Sequence, residues 1–313
     1  MYDVTVIGAA IIDILAAPAD PEIFAVNSMP ADEIRLSFGG DALNESVILS
    51  RLGKNVQLIT KIGADESGRR VLGYMRENGI PTDSVTIEDG LDTGINIVLI
   101  DREQERHFLT NPKGSLRKLG YDDIAPRLDQ AGRVVSMASM FVSPLLTIDK
   151  MERLFREIRE SGRIVFADLT AVKNGETLDD LRHLLPYVDV IVPNASEAAL
   201  LTGEEDPYRN ARLLLDAGVG TAVVKIGARG CVLGDQNGIR TIPAVQGVQS
   251  VDSTGAGDAF AAGYLTGMAE GLSPDACARL GCAAASCAIE CVGATEGVRD
   301  AQEVRRRFRM LKQ

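Results

Sequence analysis

Tryptophan is absent from this chain of 313 residues, and aromatic side chains make up only 4% of it. A site that grips a flat base by stacking wants aromatic platforms, so such recognition is poorly supplied here. No apolar run reaches the ~20 residues that a membrane-spanning helix needs. Positive charge is in deficit: 33 lysines and arginines stand against 44 aspartates and glutamates, for a formal net charge of -11. That balance argues against nucleic acid or an anionic membrane as the main partner, since both reward basic surfaces. Phosphate ligands stay open, because a local nest of backbone N–H groups with Mg2+ can hold them on an acidic protein. Also missing is any Gly-x-x-x-x-Gly-Lys-Ser/Thr loop, which excludes a Walker-type cradle.

Cysteines number five, an odd count. Four of them (Cys277, Cys282, Cys287, Cys291) fall within one expected helix. A metal cluster there fails on geometry: Cys282 points away from the other three, and Cys277 lies about 21 Å along the axis from Cys291. Small buried thiols in a reducing compartment fit better. The first residues read as a short strand rather than a basic and then apolar leader, so the expected location is cytoplasmic.

What is present is a steady alternation of apolar strand-like runs with helix-period segments, the pattern of a parallel sheet flanked by helices. Strands are expected at Asp3 to Gly8, Val56 to Ile62, Arg133 to Ala138, Ile164 to Ala167, Val188 to Val192 and Thr221 to Ile226. Helices are expected at Gly40 to Leu52, Glu66 to Asn78, Ile148 to Ser161, Tyr208 to Ala217, Gly255 to Gly271, Pro274 to Cys291 and Ala301 to Lys312. Two regions interrupt the rhythm. Ile11 to Phe38 is irregular and rich in Pro and Ala, and Thr93 to Leu109 reads as two strands around the polar turn Asp101-Arg102-Glu103-Gln104. Together they could pair into a small sheet beside the main one.

The richest stretch is Val251-Asp252-Ser253-Thr254-Gly255-Ala256-Gly257-Asp258-Ala259-Phe260. Glycines directly ahead of a helix leave backbone N–H groups unpaired and let an anion come close. A carboxylate one residue later sits where that anion's reaction partner would be. Backbone donors for negative charge, with a base beside them, suit phosphoryl transfer to a hydroxyl. The string resembles the C-terminal signature of the ribokinase-like (PfkB) carbohydrate kinases, which move the γ-phosphoryl group of ATP to a sugar hydroxyl. That resemblance implies an anion hole formed by Gly255, Ala256 and Gly257, with Asp258 taking the hydroxyl proton. The helix terminus itself should depress the Asp258 pKa and make it a weak base. Orienting the acceptor hydroxyl is therefore as good a role for it as basicity.

Three more motifs match the family in the expected order, so the resemblance covers essentially the whole chain. Ser37-Phe38-Gly39-Gly40-Asp41-Ala42-Leu43-Asn44 is similar to the N-terminal signature: Gly39 and Gly40 flex as a lid closes, and Asn44 contacts the sugar. Gly8 and Asp13 match positions at the end of the first strand, where the aspartate accepts hydrogen bonds from sugar hydroxyls. A carboxylate beyond the C-terminal end of a parallel strand is well placed for a ligand. Asn194-Ala195-Ser196-Glu197 reads two ways, as a capping box and as the family's motif in which Glu197 organises Mg2+ through water and Asn194 faces the phosphates. Lys225, Gly227 and Gly230 resemble the strand-turn-strand at the nucleotide phosphates, although a strand-end lysine also snorkels to water. Equivalents of Asp252 and Thr254 bind a monovalent cation in many members. The closing segment here, Val292-Gly293-Ala294-Thr295-Glu296-Gly297, lacks the usual serine ligand and leaves K+ open.

The resemblance implies one α/β domain over residues 1–313: a central, mostly parallel sheet, helices on both faces, and a small β-sheet lid from about 11–38 and 93–110. The lid is also the expected dimer contact. Expected ligands are ATP, Mg2+ and a small sugar. A fixed charge at Asp41 favours a neutral sugar, unless Arg106 and Lys113 point inward and reverse the sign. Lid candidates for substrate contact are Asn96, Arg106, His107 and Asn111, and strand register decides among them. Alternatives on the same scaffold are a 2-keto-3-deoxy sugar-acid kinase and a nucleoside kinase using Phe24, Phe38 or Phe108 as a platform. A non-catalytic binding relative is a third, against which retention of Asp258 and the glycines speaks.

Overall fold

A computed structural model describes residues 1–103 and 105–311. Gln104 of the polar turn and Lys312 of the last expected helix lie outside the described residues. The strands are β1 (Val4–Ile7), β2 (Ile11–Ala17), β3 (Glu33–Gly39), β4 (Val56–Gly63), β5 (Val85–Glu88), β6 (Ile95–Ile100), β7 (Arg106–Thr110), β8 (Val134–Met140), β9 (Ile164–Leu169), β10 (Val190–Ile191), β11 (Thr221–Lys225), β12 (Cys231–Asp235) and β13 (Gly238–Ile242). The α-helices are α1 (Asp41–Arg51), α2 (Glu66–Glu77), α3 (Tyr121–Ile124), α4 (Ile148–Glu160), α5 (Ala195–Thr202), α6 (Pro207–Asp216), α7 (Ala256–Ala269), α8 (Pro274–Ala288) and α9 (Ala301–Met310). None is long and apolar enough to cross a membrane among the described residues.

Nine strands form the main sheet in the order β13-β12-β11-β10-β9-β8-β1-β4-β5. Pairing is parallel from β5 through β11 and antiparallel at the β11–β12 and β12–β13 edge. The central strands are nearly continuous apolar runs because both faces are covered. Two hydrophobic cores lie against those faces. One joins Val4, Val6 and Leu58 to α1, α2, α7 and α8. The other joins Ile7, Ile59 and Val135 to α4, α5 and α6. Helices α7 and α8 approach closely: a Cβ at Gly263 would stand 2.6 Å from the Leu280 carbonyl oxygen.

Strand and helix ends depart from expectation by a few residues for local reasons. The Val188 N–H turns back to Leu185, so β10 starts only at Val190. Helix α8 stops at Ala288 rather than Cys291, because the next carbonyl, Ile289, is taken by the amides of Val251 and Asp252. All five cysteines are free thiols, and Cys291 is the one that is partly exposed.

A second sheet stands apart, in the order β3-β2-β6-β7. Its strands come from the two segments that break the alternation. Direct cross-strand partners share a face. Asp13, Asn96 and Thr110 therefore line one side with Arg106 and Phe108, and Leu36, Ile14, Ile97 and Leu109 line the other.

Candidate active site

The C-terminal ends of the parallel strands open onto a cavity of about 640 Å³. Helix α7 begins at its wall. Gly255 holds the left-handed conformation at φ 70°, and a Cβ there would lie 2.1 Å from the Ala294 carbonyl oxygen. Only glycine fits. No side chain caps this terminus among the described residues. Ala256 turns its N–H back to Ser253. The first-turn amides of Gly257 and Asp258 are left beside the cavity, which both residues line. A Cβ at Gly257 would be 3.6 Å from Lys225 Nζ, so an ammonium stands against the same terminus. Backbone donors, helix dipole and lysine thus converge on one spot suited to an anion.

Asp258 is half-buried at that wall and accepts a hydrogen bond from Asn44 Nδ2 at 2.7 Å on Oδ2. Its pKa is raised well above the usual carboxylate range, first by burial and next by the Asp41 and Asp168 charges. This corrects the low value expected from the helix terminus alone. Desolvation with two like charges outweighs a dipole worth at most ~2 kcal/mol. Asp41 does not face solvent: it lines the cavity and accepts from Ser139 Oγ, and burial raises its pKa.

Lys225, at the end of β11, meets Asp168 at 2.7 and 3.0 Å. Burial alone would lower the lysine pKa; the charges of Asp168 and Glu197 more than offset it. Burial lifts Asp168 to about 7 against the pull of Lys225. Sequence reasoning missed Asp168 by one position, having ended that strand at Ala167. The usable signal was the one applied to Asp13, a carboxylate just past a parallel strand. Asn194 and Glu197 line the cavity and also form a reciprocal capping box, at 2.9 and 2.7 Å. The capping-box reading is thus observed, and it leaves both residues on the cavity wall. Gly227 and Gly230 line the cavity too, and a Cβ at Gly230 would lie 2.0 Å from the Ile242 carbonyl oxygen.

A second group sits between the sheets. Asp13 Oδ1 accepts from Asn96 Nδ2 at 3.0 Å. Gly39 lets its other oxygen in close, since a Cβ at 39 would stand 2.0 Å from Asp13 Oδ2. Burial raises the Asp13 pKa. Asn96 Oδ1 is buried with no hydrogen-bond partner, an acceptor waiting for a donor. Gly40 has φ 92° and starts α1, which carries Asn44 to Asp258. Beneath it Glu45 is fully buried, with Oε2 accepting from Ser136 Oγ and Oε1 unpartnered.

Other expected residues point elsewhere. Arg106 reaches Asp252 at 2.8 Å rather than an open pocket. Thr254 gives both its N–H and its hydroxyl to Asp252 and does not line the cavity. His107 bonds Asp101 on the surface, Asn111 caps the Lys113 N–H, and Lys113 itself is exposed. Phe38 is stacked on Tyr74 with ring centroids 4.1 Å apart, and Phe24 and Phe108 are exposed.

Comparison with known proteins gives the family and the fold. The profile of the pfkB family carbohydrate kinases matches residues 1–301, and the chain belongs to that family. An uncharacterized sugar kinase of Archaeoglobus fulgidus is 31% identical over 80% of this chain and 97% of its own. A cytidine kinase of Thermococcus kodakarensis is 30% identical over 90% of this chain and 94% of its own. The structure of Arabidopsis thaliana ribokinase complexed with ribose and ATP superposes with a TM-score of 0.83, covering 98% of each chain at 22% identity.

Proposed function

We propose that this member of the PfkB carbohydrate kinases passes the γ-phosphoryl group of ATP to a hydroxyl of a small neutral sugar, with Asp258 taking the proton. The observation that carries the reading is the bond from Asn44 to Asp258. It ties the anion-ready start of α7 to the polar group beneath the small sheet, which supports a meeting of acceptor and phosphate there. The nucleotide occupies the 640 Å³ cavity, with its phosphates over Asn194, Gly227, Gly230, Lys225 and the α7 amides. The sugar lies between Asp258, Asp13, Asn44 and Asn96, and Gly39 and Gly40 shape the floor. A sugar hydroxyl donating to Asn96 Oδ1 would remove the orphaned acceptor.

In the transfer, the sugar oxygen forms a bond to γ-phosphorus while the bond to the β-phosphate oxygen breaks, and the hydroxyl proton moves to Asp258. Charge spreads over the moving group, and the helix amides with Lys225 are already aimed at it. Asn44 holds Oδ2, which leaves Oδ1 for the hydroxyl. The raised pKa makes Asp258 a better base than a solvent-exposed aspartate once ionised. Glu197, with Asp168 near it, offers the hard oxygen donors that would hold Mg2+ through water, and Mg2+ supplies neutralisation of phosphate charge.

The carboxyls around the acceptor position support a neutral sugar. Asp13, Asp41 and Asp258 converge here, Lys113 is exposed, and the Arg106 charge is spent on Asp252. A sugar acid would meet net repulsion. Phe108 shares the Asp13 face of the small sheet and is exposed, which keeps a nucleoside as the second reading, alongside the Thermococcus kodakarensis cytidine kinase relative.

The small sheet acts as a lid that expels water and prevents idle ATP hydrolysis. Its outer face carries Ile34 at 74% and Leu109 at 58% exposure, beside Leu36 and Ile97, and a second copy of the chain covers it. Free thiols and the use of ATP support a cytoplasmic location. The test is ADP release with Mg-ATP against neutral pentoses and hexoses, sugar acids and nucleosides. Turnover with a neutral sugar is expected; turnover confined to acids or nucleosides, or none at all, would overturn the reading.

A further inference from the structure

The Asp252 carboxylate lies four residues ahead of the first residue of α7, the helix that receives the anion, and both of its oxygens accept hydrogen bonds. Oδ1 accepts from Arg106 Nη2 at 2.8 Å, Thr254 N at 2.9 Å and Thr254 Oγ1 at 2.6 Å. Oδ2 accepts from Gly293 N at 3.0 Å. These bonds, with Arg106, hold the carboxyl pKa down although burial alone would raise it. Two more side-chain oxygens of the closing segment meet protein groups. Thr295 Oγ1 pairs with Tyr74 Oη at 3.3 Å, and Glu296 Oε2 accepts from Thr295 N at 2.9 Å.

A monovalent cation beside this turn, as the family resemblance implies, would compete with Arg106 and the two Thr254 donors for Asp252 Oδ1. Oδ1, with the Arg106 guanidinium on it, does not fit such an ion. What stands at Asp252 instead is a guanidinium, planar, permanently charged, and able to satisfy a carboxylate without shedding a hydration shell. Arg106 sits on β7, so this charge is delivered by the small sheet, from a part of the chain 146 residues away in sequence.

We propose that Arg106 is the resident cation of the anion-hole turn: it takes the place of a bound monovalent ion, holds residues 252–255 in the form that presents the α7 amides, and makes phosphoryl transfer independent of K+. The inference rests on the kinase reading for its catalytic consequence but not for its binding consequence. Arg106 acts through Asp252 and the backbone, so it is a positioning residue. Its loss should weaken the transition-state interaction more than sugar affinity. Truncating it would also free an Asp252 oxygen, and the site should then accept an ion.

The experiment has a binding arm and a turnover arm. In the first, melting temperature and affinity for a non-hydrolysable ATP analogue with Mg2+ are measured in KCl and in tetramethylammonium chloride at equal ionic strength. The wild-type protein should show no difference, whereas a saturable gain with K+ overturns the proposal whether or not a sugar substrate is known. In the second, with the best substrate found, Arg106→Ala should lose at least 10-fold in kcat without K+ while sugar KM moves less than 3-fold. K+ or guanidinium ion should restore part of the loss, and Arg106→Lys should retain more activity than Arg106→Ala. A sugar KM effect alone, or wild-type kcat for Arg106→Ala in K+-free buffer, would overturn the assignment. Melting curves of both variants show whether the fold persists, and the wild-type salt comparison stands if neither variant folds. Absence of turnover with every acceptor would fail the kinase reading and leave the binding arm to decide this one.

Discussion

The two sheets of this molecule handle polar groups in opposite ways. At the ends of the large sheet, carboxylates and a lysine are locked in place before any ligand arrives: Asp168 on Lys225, Asn44 on Asp258, Asn194 and Glu197 on each other. On the small sheet the polar face keeps an unpaired acceptor at Asn96, and the far face is exposed and apolar. The first region is preorganised, and the second is completed by what binds it. Catalytic power should therefore reside with the large sheet and acceptor choice with the small one.

That division can be broken at several points. The largest effect belongs to Asp258→Asn, for which we expect a loss of about 10³-fold in kcat. Its melting temperature should be no lower than wild type, because a crowded buried carboxyl is removed. Retained turnover would refute the assigned role. Next comes Asp13→Ala on the small-sheet side, where losing a charged hydrogen-bond partner should raise sugar KM roughly 10- to 100-fold. ATP KM should hardly move. A matching rise for ATP would erase the distinction between the two regions.

A smaller effect concerns pH. Asp168 is raised to about 7 in the folded protein, so its contribution to stability is fully present at low pH and is lost as pH climbs toward 7. Asp168→Asn should flatten that falling limb in urea midpoints taken between about pH 4.5 and 7.5. An unchanged slope would show that other groups carry it. The smallest effect is expected from Ile97→Lys on the apolar face of the small sheet. It should shift sedimentation toward monomer and leave kcat within about 2-fold, since surface changes rarely exceed ~0.5 kcal/mol. An unaltered sedimentation coefficient would remove the proposed dimer contact from this face.

The same contrast governs how much could be read from residues alone. Periodicity found the main strands and helices, because parallel strands buried on both faces are plainly apolar. Gly255 to Asp258 was legible because glycine and aspartate at a helix start leave a local signature. Asp168 was missed because the strand runs two residues further than its apolar stretch. The direction of the Asp258 pKa shift could not be read either. Its main causes, burial and the charges of Asp41 and Asp168, come from segments distant in the chain. The partner of Arg106 was equally hidden, since it depends on a register that no local pattern specifies.

Gly39 has a consequence for how this pocket can diversify. The Asp13 oxygen occupies the space that any side chain at 39 would fill. Even alanine there would evict the acid, so a mutant library randomised at 39 should return mostly dead clones. Routes to new acceptors run instead through Phe108, which shares that face and is exposed, and through Thr110 in the same row. Directed evolution of this enzyme would do well to begin on β7.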